Sequence, residues 1–224
     1  GKRCGFFRQW FYRAVDMTQR REFNPSEVGN VYPILGALVV PRPIAWVSSR
    51  SPQGVDNLAP HSFFQIVSTS PPIVMISSMG EKDTTRNIRA SGEFVVCGTP
   101  ASLIEEVNLT GVEFPPEASE FDELGLIREQ SSTVAAPRVR DSPYALECTL
   151  VDILTVGNGV VVLGEVQLIA IAEGVLVHDR VDNLKLDLVS RLGGNEWGHN
   201  GPVTELARVP LAAYRSNTPT STGN

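Results

Sequence analysis

Two long β-rich runs, Tyr144 to Val156 and Val160 to Ala172, are joined by Gly157-Asn158-Gly159, and this pairing constrains the fold more than any other feature. Gly and Asn tolerate the positive φ that tight hairpin turns need, so the runs read as two antiparallel strands paired along their length. Such a hairpin has two open edges, and each needs a partner strand or a cover. The rest of the chain offers partners. Val31 to Val40 and Ile44 to Ser49 are β-rich and separated by Pro41-Arg42-Pro43, which removes two backbone donors and predicts a bulge or corner. Ser51-Pro52-Gln53-Gly54 supplies turn chemistry before Ser62 to Val67 resumes an apolar pattern. After Ser70-Pro71-Pro72, the run Ile73 to Met79 reads as a strand buried in a barrel wall.

Helices are few and short. Asp83 is placed to cap a helix reaching about Ser91, with Gly92 as its stop and Glu93 to Cys97 as the next strand. Ser102 and Glu105 form a capping-box pattern that opens a second helix ending near Gly111. Residues 112–143 carry Pro115-Pro116, Gly125, Pro137 and Pro143, with one short helical candidate at Ser119 to Leu124, and are expected to wrap the surface. Regular strands with few helices fit a mainly antiparallel β-barrel better than alternating βαβ units.

Composition removes several function classes. Nineteen basic against 25 acidic residues give a net charge of −6, and nucleic-acid binding through counterion release needs a basic surface. Cys4, Cys97 and Cys148 are odd in number and far apart, so no disulfide framework or zinc site is indicated, and a reducing, cytoplasmic compartment is the simplest reading. His61, His178 and His199 show no metal-ligand spacing, and no metal site is expected. No apolar run approaches the roughly 20 residues that cross a bilayer. Residues 1–22, Arg-rich and aromatic at first, read as an N-terminal extension or cloning-derived segment ahead of a start at Met17, residues 23–210 as one domain, and 211–224 as a flexible tail. Dinucleotide, P-loop, nucleophile-elbow and zinc-protease motifs are all missing from the sequence.

What remains points to a pocket for a flat, phosphorylated cofactor. Lys82 beside a helix start can neutralise a phosphate, and Thr84 can donate a hydroxyl hydrogen bond where the helix terminus adds partial positive charge. Asp83 complicates this, because a carboxylate capping those amides would exclude a phosphate. Asn57, Leu58, Ala59, Ser62 and Phe63 lie in a polar loop stiffened by Pro60, suited to the edge of a planar ring. Ser48, Ser49, Ser77 and Ser78 end two apolar strands, where small hydroxyls leave room for a ligand, and Met79 and Trp46 can flank a ring or fill the core. His61 sits where it can offer a proton or a hydrogen bond.

With these residues in place, the chain resembles the flavin reductase-like FMN-binding split-barrel family, which includes flavin reductases and flavoredoxins. The resemblance runs from about Phe23 to Trp197 and rests on Val40-Pro41-Arg42-Pro43-Ile44-Ala45, Asn57-Leu58-Ala59-Pro60 with Ser62-Phe63-Phe64, and Pro71-Pro72. It extends through Lys82-Asp83-Thr84 with Asn87-Ile88, Glu93-Phe94-Val95-Val96, Glu120-Phe121, Gly125-Leu126, Leu146-Glu147-Cys148 and Arg191-Leu192-Gly193-Gly194. It implies a homodimer of six-stranded, Greek-key-like split β-barrels with FMN in each of two interface clefts. Ser48, Ser49, the stretch from Asn57 to Phe63 and Ser77 to Met79 would line the flavin; Lys82, Thr84 and Asn87 would lie near its phosphate. The Arg191 to Gly194 turn would approach the cleft from the partner chain. The implied activity is hydride transfer from NAD(P)H to FMN, with electrons passing on to free flavin, oxygen or another acceptor; the alternative is an FMN-binding electron carrier without pyridine-nucleotide activity. Trp46, His61 and Trp197 depart from the family pattern, which makes the redox partner the open question.

Overall fold

The computed structural model describes residues 16–211. Expectations for Cys4, for the first fifteen residues and for residues 212–224 fall outside that range. Seven strands form one antiparallel sheet: β1 (Ala45–Arg50), β2 (Asp56–His61), β3 (Phe64–Thr69), β4 (Pro72–Met79), β5 (Glu93–Cys97), β6 (Tyr144–Val156) and β7 (Gly159–Ile171). Their order in the sheet is β2-β1-β5-β6-β7-β4-β3. The long hairpin is therefore central, with β5 on one of its edges and β4 on the other. Gly157 takes the positive φ, 60°, that the two-residue turn demands. One strand more is present in this sheet than the six that the family resemblance implies.

The sheet curls around a core of Ala45, Val47, Val74, Ile76, Phe94, Val96, Cys148 and Val162, closed at one end by Ile88. Alternation along β4 puts Val74 and Ile76 inward while their neighbours are less buried, the period-two pattern of a barrel wall. Phe94 fits only because Gly164 faces it, since a Cβ at position 164 would stand 2.3 Å from the ring. A register shift between Leu163 and Gly164 marks the same point. On the outer face of β1 and β5 a second core joins Trp46, Leu58, Val95 and Cys97 to Val107, Phe121 and Val139 of the connecting segments. Residues 112–143 do wrap the surface, and they are pinned by Glu147. That fully buried carboxylate of β6 accepts the amides of Ser132 and Thr133 and the Arg138 guanidinium, whose Nε lies 2.8 Å away.

Among the described residues, five α-helices pack around this sheet: α1 (Tyr32–Leu38), α2 (Asp83–Ser91), α3 (Ile104–Leu109), α4 (Glu120–Glu123) and α5 (Asn183–Leu186). The strand expected over Val31 to Val40 is thus corrected to a helix. Pro33 falls in its first turn, where a missing N–H costs nothing. Arg42 grips its carboxyl end by donating to the carbonyls of Gly36 and Val39. The Ser102 capping box does not form either. Residues Ala101–Leu103 make a 3₁₀ turn, and α3 follows without a side-chain cap. Gly92, at φ 74°, ends α2 as expected.

Gly164→Ala should lower stability by about 1–3 kcal/mol, because a methyl group there must displace the buried Phe94 ring. Chemical denaturation reads this directly, and an unchanged midpoint would show that the barrel interior tolerates the extra atom.

Candidate functional site

An open cleft of about 550 Å³ lies between the carboxyl end of β4, the outer residues of β2, the start of α2 and the segment from Thr110 to Phe114. The segment expected as a loop over Asn57 to Ser62 is corrected to strand β2 as far as His61, paired along β1, and strand periodicity explains one wall. Asn57, Ala59 and His61 share a face of β2 and line the cleft, while Leu58 points the other way into the core. The opposite wall, Ser77, Ser78 and Met79, is held by pairing with Val161, Val160 and Gly159 of the long hairpin. Gly80 N–H then donates to the Asn158 carbonyl at 3.0 Å, tying the cleft rim to the hairpin turn. Ser62 completes this group, and a smaller cavity of about 340 Å³ adjoins it, sharing Asn57, Asp83, Arg86 and Glu120.

The start of α2 forms the floor. Thr85 Oγ1 reaches back to accept the Lys82 N–H at 2.9 Å, which fixes the first turn. Asp83 does not cap it; its carboxylate turns outward to Arg86, and no side chain caps the terminus. The first amides of α2 are consequently left without an intrahelical or side-chain partner, in a helix end that carries partial positive charge. This resolves the conflict that Asp83 raised. Lys82 is not idle, however, because its ammonium is paired with Glu113 from the segment across the cleft.

A chain of hydrogen bonds runs along the β2 wall. Glu120, at the start of α4, accepts Leu58 N–H at 2.8 Å and Asn57 Nδ2–H at 3.0 Å. Thr84 Oγ1 donates to Asn57 Oδ1 at 3.0 Å, and His61 Nε2 lies 3.3 Å from Thr84 Oγ1. Beside Glu120, Ser119 Oγ donates to the Asp56 carbonyl at 2.6 Å, so α4 is clipped to three successive residues of β2. Burial raises the Glu120 carboxyl above its usual pKa, opposed by the Leu58 and Asn57 donors. Burial alone pushes the His61 imidazole down to about 4, so it is neutral at physiological pH.

Of the residues singled out from sequence, the cleft gathers Asn57, Ala59, His61, Ser62, Ser77, Ser78, Met79, Lys82 and Thr84. It does not gather Ser48, Ser49, Leu58, Phe63 or Asn87. Ser48 and Ser49 are fully buried in β1, behind the β2 wall, with Ser49 Oγ accepting from Asn87 Nδ2 at 3.3 Å. Phe63 packs against Tyr32 of α1, ring centroids 6.4 Å apart, and Asn87 faces the adjoining cavity. Trp46 is core as well and meets the cleft only through Thr110, whose Oγ1 accepts its indole N–H at 2.8 Å. The Arg191 to Gly194 turn packs on α1 of its own chain, where Arg42 Nη2 donates to the Leu192 carbonyl at 2.9 Å. Trp197 lies under Arg191 at 4.7 Å, away from this cleft. Sequence reasoning missed Glu113 and Glu120. For Glu120 a signal exists, an acidic residue between Ser119 and Phe121 at a helix start, but its partners lie more than 60 positions away. Among the described residues there is no cluster of metal ligands, Cys97 and Cys148 are unpaired and buried, and no helix is long and apolar enough to cross a membrane.

Comparison with known proteins bears on the family and the fold. Residues 37–184 match the family model described as flavin reductase like domain. An uncharacterised protein of Aquifex aeolicus is 39% identical over 173 residues, spanning 75% of this chain and 88% of its own length. Nitrilotriacetate monooxygenase component B from Bacillus cereus superposes with a TM-score of 0.80 at 30% identity, covering 84% of this chain and 99% of that one. The 2-nitrobenzoate 2-nitroreductase of Pseudomonas fluorescens gives 0.78 at 30% identity, covering 85% and 97%.

The neutral, buried His61 makes stability pH-dependent. Below about 6.5 the unfolded chain takes up a proton that the folded chain refuses until about 4. Stability is thus complete above about 6.5 and declines as pH falls toward 4, by roughly 3 kcal/mol in all. Denaturation midpoints measured across that window should fall less steeply in His61→Gln than in the wild type; equal slopes would show that the imidazole titrates normally.

Proposed function

This chain belongs to the flavin reductase-like domain family, and on that premise we propose that it is an FMN-dependent oxidoreductase using NAD(P)H as reductant. The observation that carries the reading is the start of α2, where no side chain accepts from the amides of residues 83–85 and where Lys82, Asp83 and Thr84 line a cleft walled by hydroxyls and an amide. The fit is chemical. A single phosphate needs clustered N–H donors and a cation, which the first turn of α2, Thr84 and Lys82 supply. The edge of an isoalloxazine needs short-range donors, which Ser62, Ser77 and Ser78 supply from two walls. Bound there, the cofactor supplies the redox chemistry, taking a hydride at N5 from NAD(P)H and giving electrons to free flavin, oxygen or another acceptor.

The protein's own work is then orientation and charge. The hairpin-anchored rim and the β2 wall hold the ring between them, and preorganised donors stabilise negative charge that gathers at N1 and O2 on reduction. Glu113 adds a condition, because it competes with the phosphate for Lys82. No side-chain nucleophile is needed.

The functional unit is a homodimer in this reading. Helix α1 exposes Tyr32, Leu35 and Leu38 along one side, with Leu38 72% exposed, and Val39 and Val40 extend the patch. A seven-residue helix with such a face needs a cover, and a second copy supplies one while closing the open side of the cleft.

Lys82→Ala should weaken FMN binding about tenfold, whereas Glu113→Gln should strengthen it two- to fivefold by releasing the lysine, as expected for exposed ion pairs. Fluorescence titration with FMN reads both, and equal affinities in all three proteins would remove the phosphate assignment. Anaerobic mixing of the FMN-loaded protein with NADH and with NADPH should bleach the flavin bands; persistent colour with both marks an electron carrier instead. Leu38→Asp should shift sedimentation from dimer to monomer, and a wild-type monomer would exclude the shared cleft.

A further inference from the structure

The hydrogen-bond chain along the β2 wall has a direction that follows from what each group can give. A carboxylate only accepts, so Glu120 takes the Nδ2–H of Asn57 at 3.0 Å while its second oxygen takes Leu58 N–H at 2.8 Å. That fixes the amide's nitrogen toward α4 and leaves Oδ1 facing Thr84. The Thr84 hydroxyl donates to Oδ1 at 3.0 Å, and a hydroxyl has one proton to give. Toward His61 Nε2, 3.3 Å away, Thr84 Oγ1 is therefore an acceptor, and the imidazole proton sits on Nε2. A neutral imidazole carries one proton, which leaves Nδ1 bare. Among the described residues the buried side-chain atoms without partners are Arg42 Nε and Ser48 Oγ alone. Nδ1, unbonded yet not among them, is not fully enclosed, and the open space that His61 lines is this cleft.

We propose that Glu120 is a positioning residue which, acting through Asn57 and Thr84, holds His61 as a hydrogen-bond acceptor for an N–H group of the bound flavin. The proposal rests on the flavin reading of the cleft. The serine hydroxyls, the first amides of α2 and Lys82 donate, and the carboxylates that line the cleft are each engaged already: Glu81 with Arg89, Asp83 with Arg86, Glu113 with Lys82 and Glu120 with β2. An oxidised flavin ring carries a single N–H, its imide, between two carbonyl oxygens. A wall of donors satisfies the carbonyls, and only an acceptor satisfies the imide. His61 with its proton turned away is that acceptor, whereas the opposite tautomer would set donor against donor.

NMR of apoprotein labelled with ¹⁵N-histidine reads the tautomer without any ligand. In the wild type His61 should carry its proton on Nε2. Glu120→Gln keeps the side chain's shape and its bond from Leu58 but offers an N–H to Asn57. The Asn57 amide should turn over, Thr84 should donate to His61, and the proton should move to Nδ1. The same variant should bind FMN about tenfold more weakly, the cost of a hydrogen bond replaced by opposed donors. Thr84→Ser, which keeps the hydroxyl, should retain the wild-type tautomer and affinity, and circular dichroism reports that Glu120→Gln folds. A proton on Nδ1 in the wild type, or one that stays on Nε2 in folded Glu120→Gln, overturns the proposal even if FMN binds normally. A wild-type protein that binds no FMN overturns the flavin reading, and the proposed recipient with it, whatever the tautomer shows.

Discussion

Backbone pairing along the β6–β7 hairpin sets the position of everything in the cleft. On one edge, Val161, Val160 and Gly159 pair with Ser77, Ser78 and Met79, so the hairpin's turn and the cleft's rim are a single piece of ladder. On the other edge the register passes from Glu147 to Val95, from Val95 to Ser48 and from Ser48 to Leu58. A slip of one residue anywhere along that path would exchange Leu58 for Asn57 or Ala59, turning the polar wall into the core and the core into the cleft. Phe94 against Gly164 resists such a slip, because a Cβ at that position would stand 2.3 Å from the ring and a slipped register would put Leu163 or Glu165 there.

Electrostatics is settled by the short helices packed on that frame. Burying the Glu120 carboxylate is costly unless its oxygens are satisfied, and the two donors from Asn57 and Leu58 meet that need while clipping α4 to β2. The same bonds orient Asn57, and through it Thr84 and His61. At the other end of the cleft, Asp83 turns away to Arg86 and leaves the start of α2 open for an anion. Two carboxylates close to one cleft thus play opposite parts: Glu120 is consumed in building a wall, and Glu113 stays exposed and holds the lysine that an incoming phosphate needs.

Much of this was legible in the sequence, for local reasons. Gly157-Asn158 between two β-rich runs announces its own turn, and Gly92 after a helical stretch that opens at Asp83 announces a helix stop; both signals act within a few residues. Helix α1 was not legible, because Val31, Val39 and Val40 give its surroundings a β-like composition and its apolar face meets solvent in the single chain. The hydroxyls of Ser48 and Ser49 at a strand end look available in sequence, but α2 packs on β1, where Asn87 reaches Ser49, and both serines are fully buried. Leu58 and Asn57, adjacent in sequence, part company because successive residues of a strand face opposite sides. Glu120 and Glu113 were out of reach, since each meets its partner through contacts 31 or more positions distant.

The central claim is that this cleft receives a flavin mononucleotide, and titration of the purified apoprotein with FMN, followed by its visible spectrum and fluorescence, tests it most directly. The account predicts saturable binding of one FMN per chain, with quenched fluorescence and a yellow protein that survives desalting. A colourless protein that takes up no FMN at saturating concentration would contradict it.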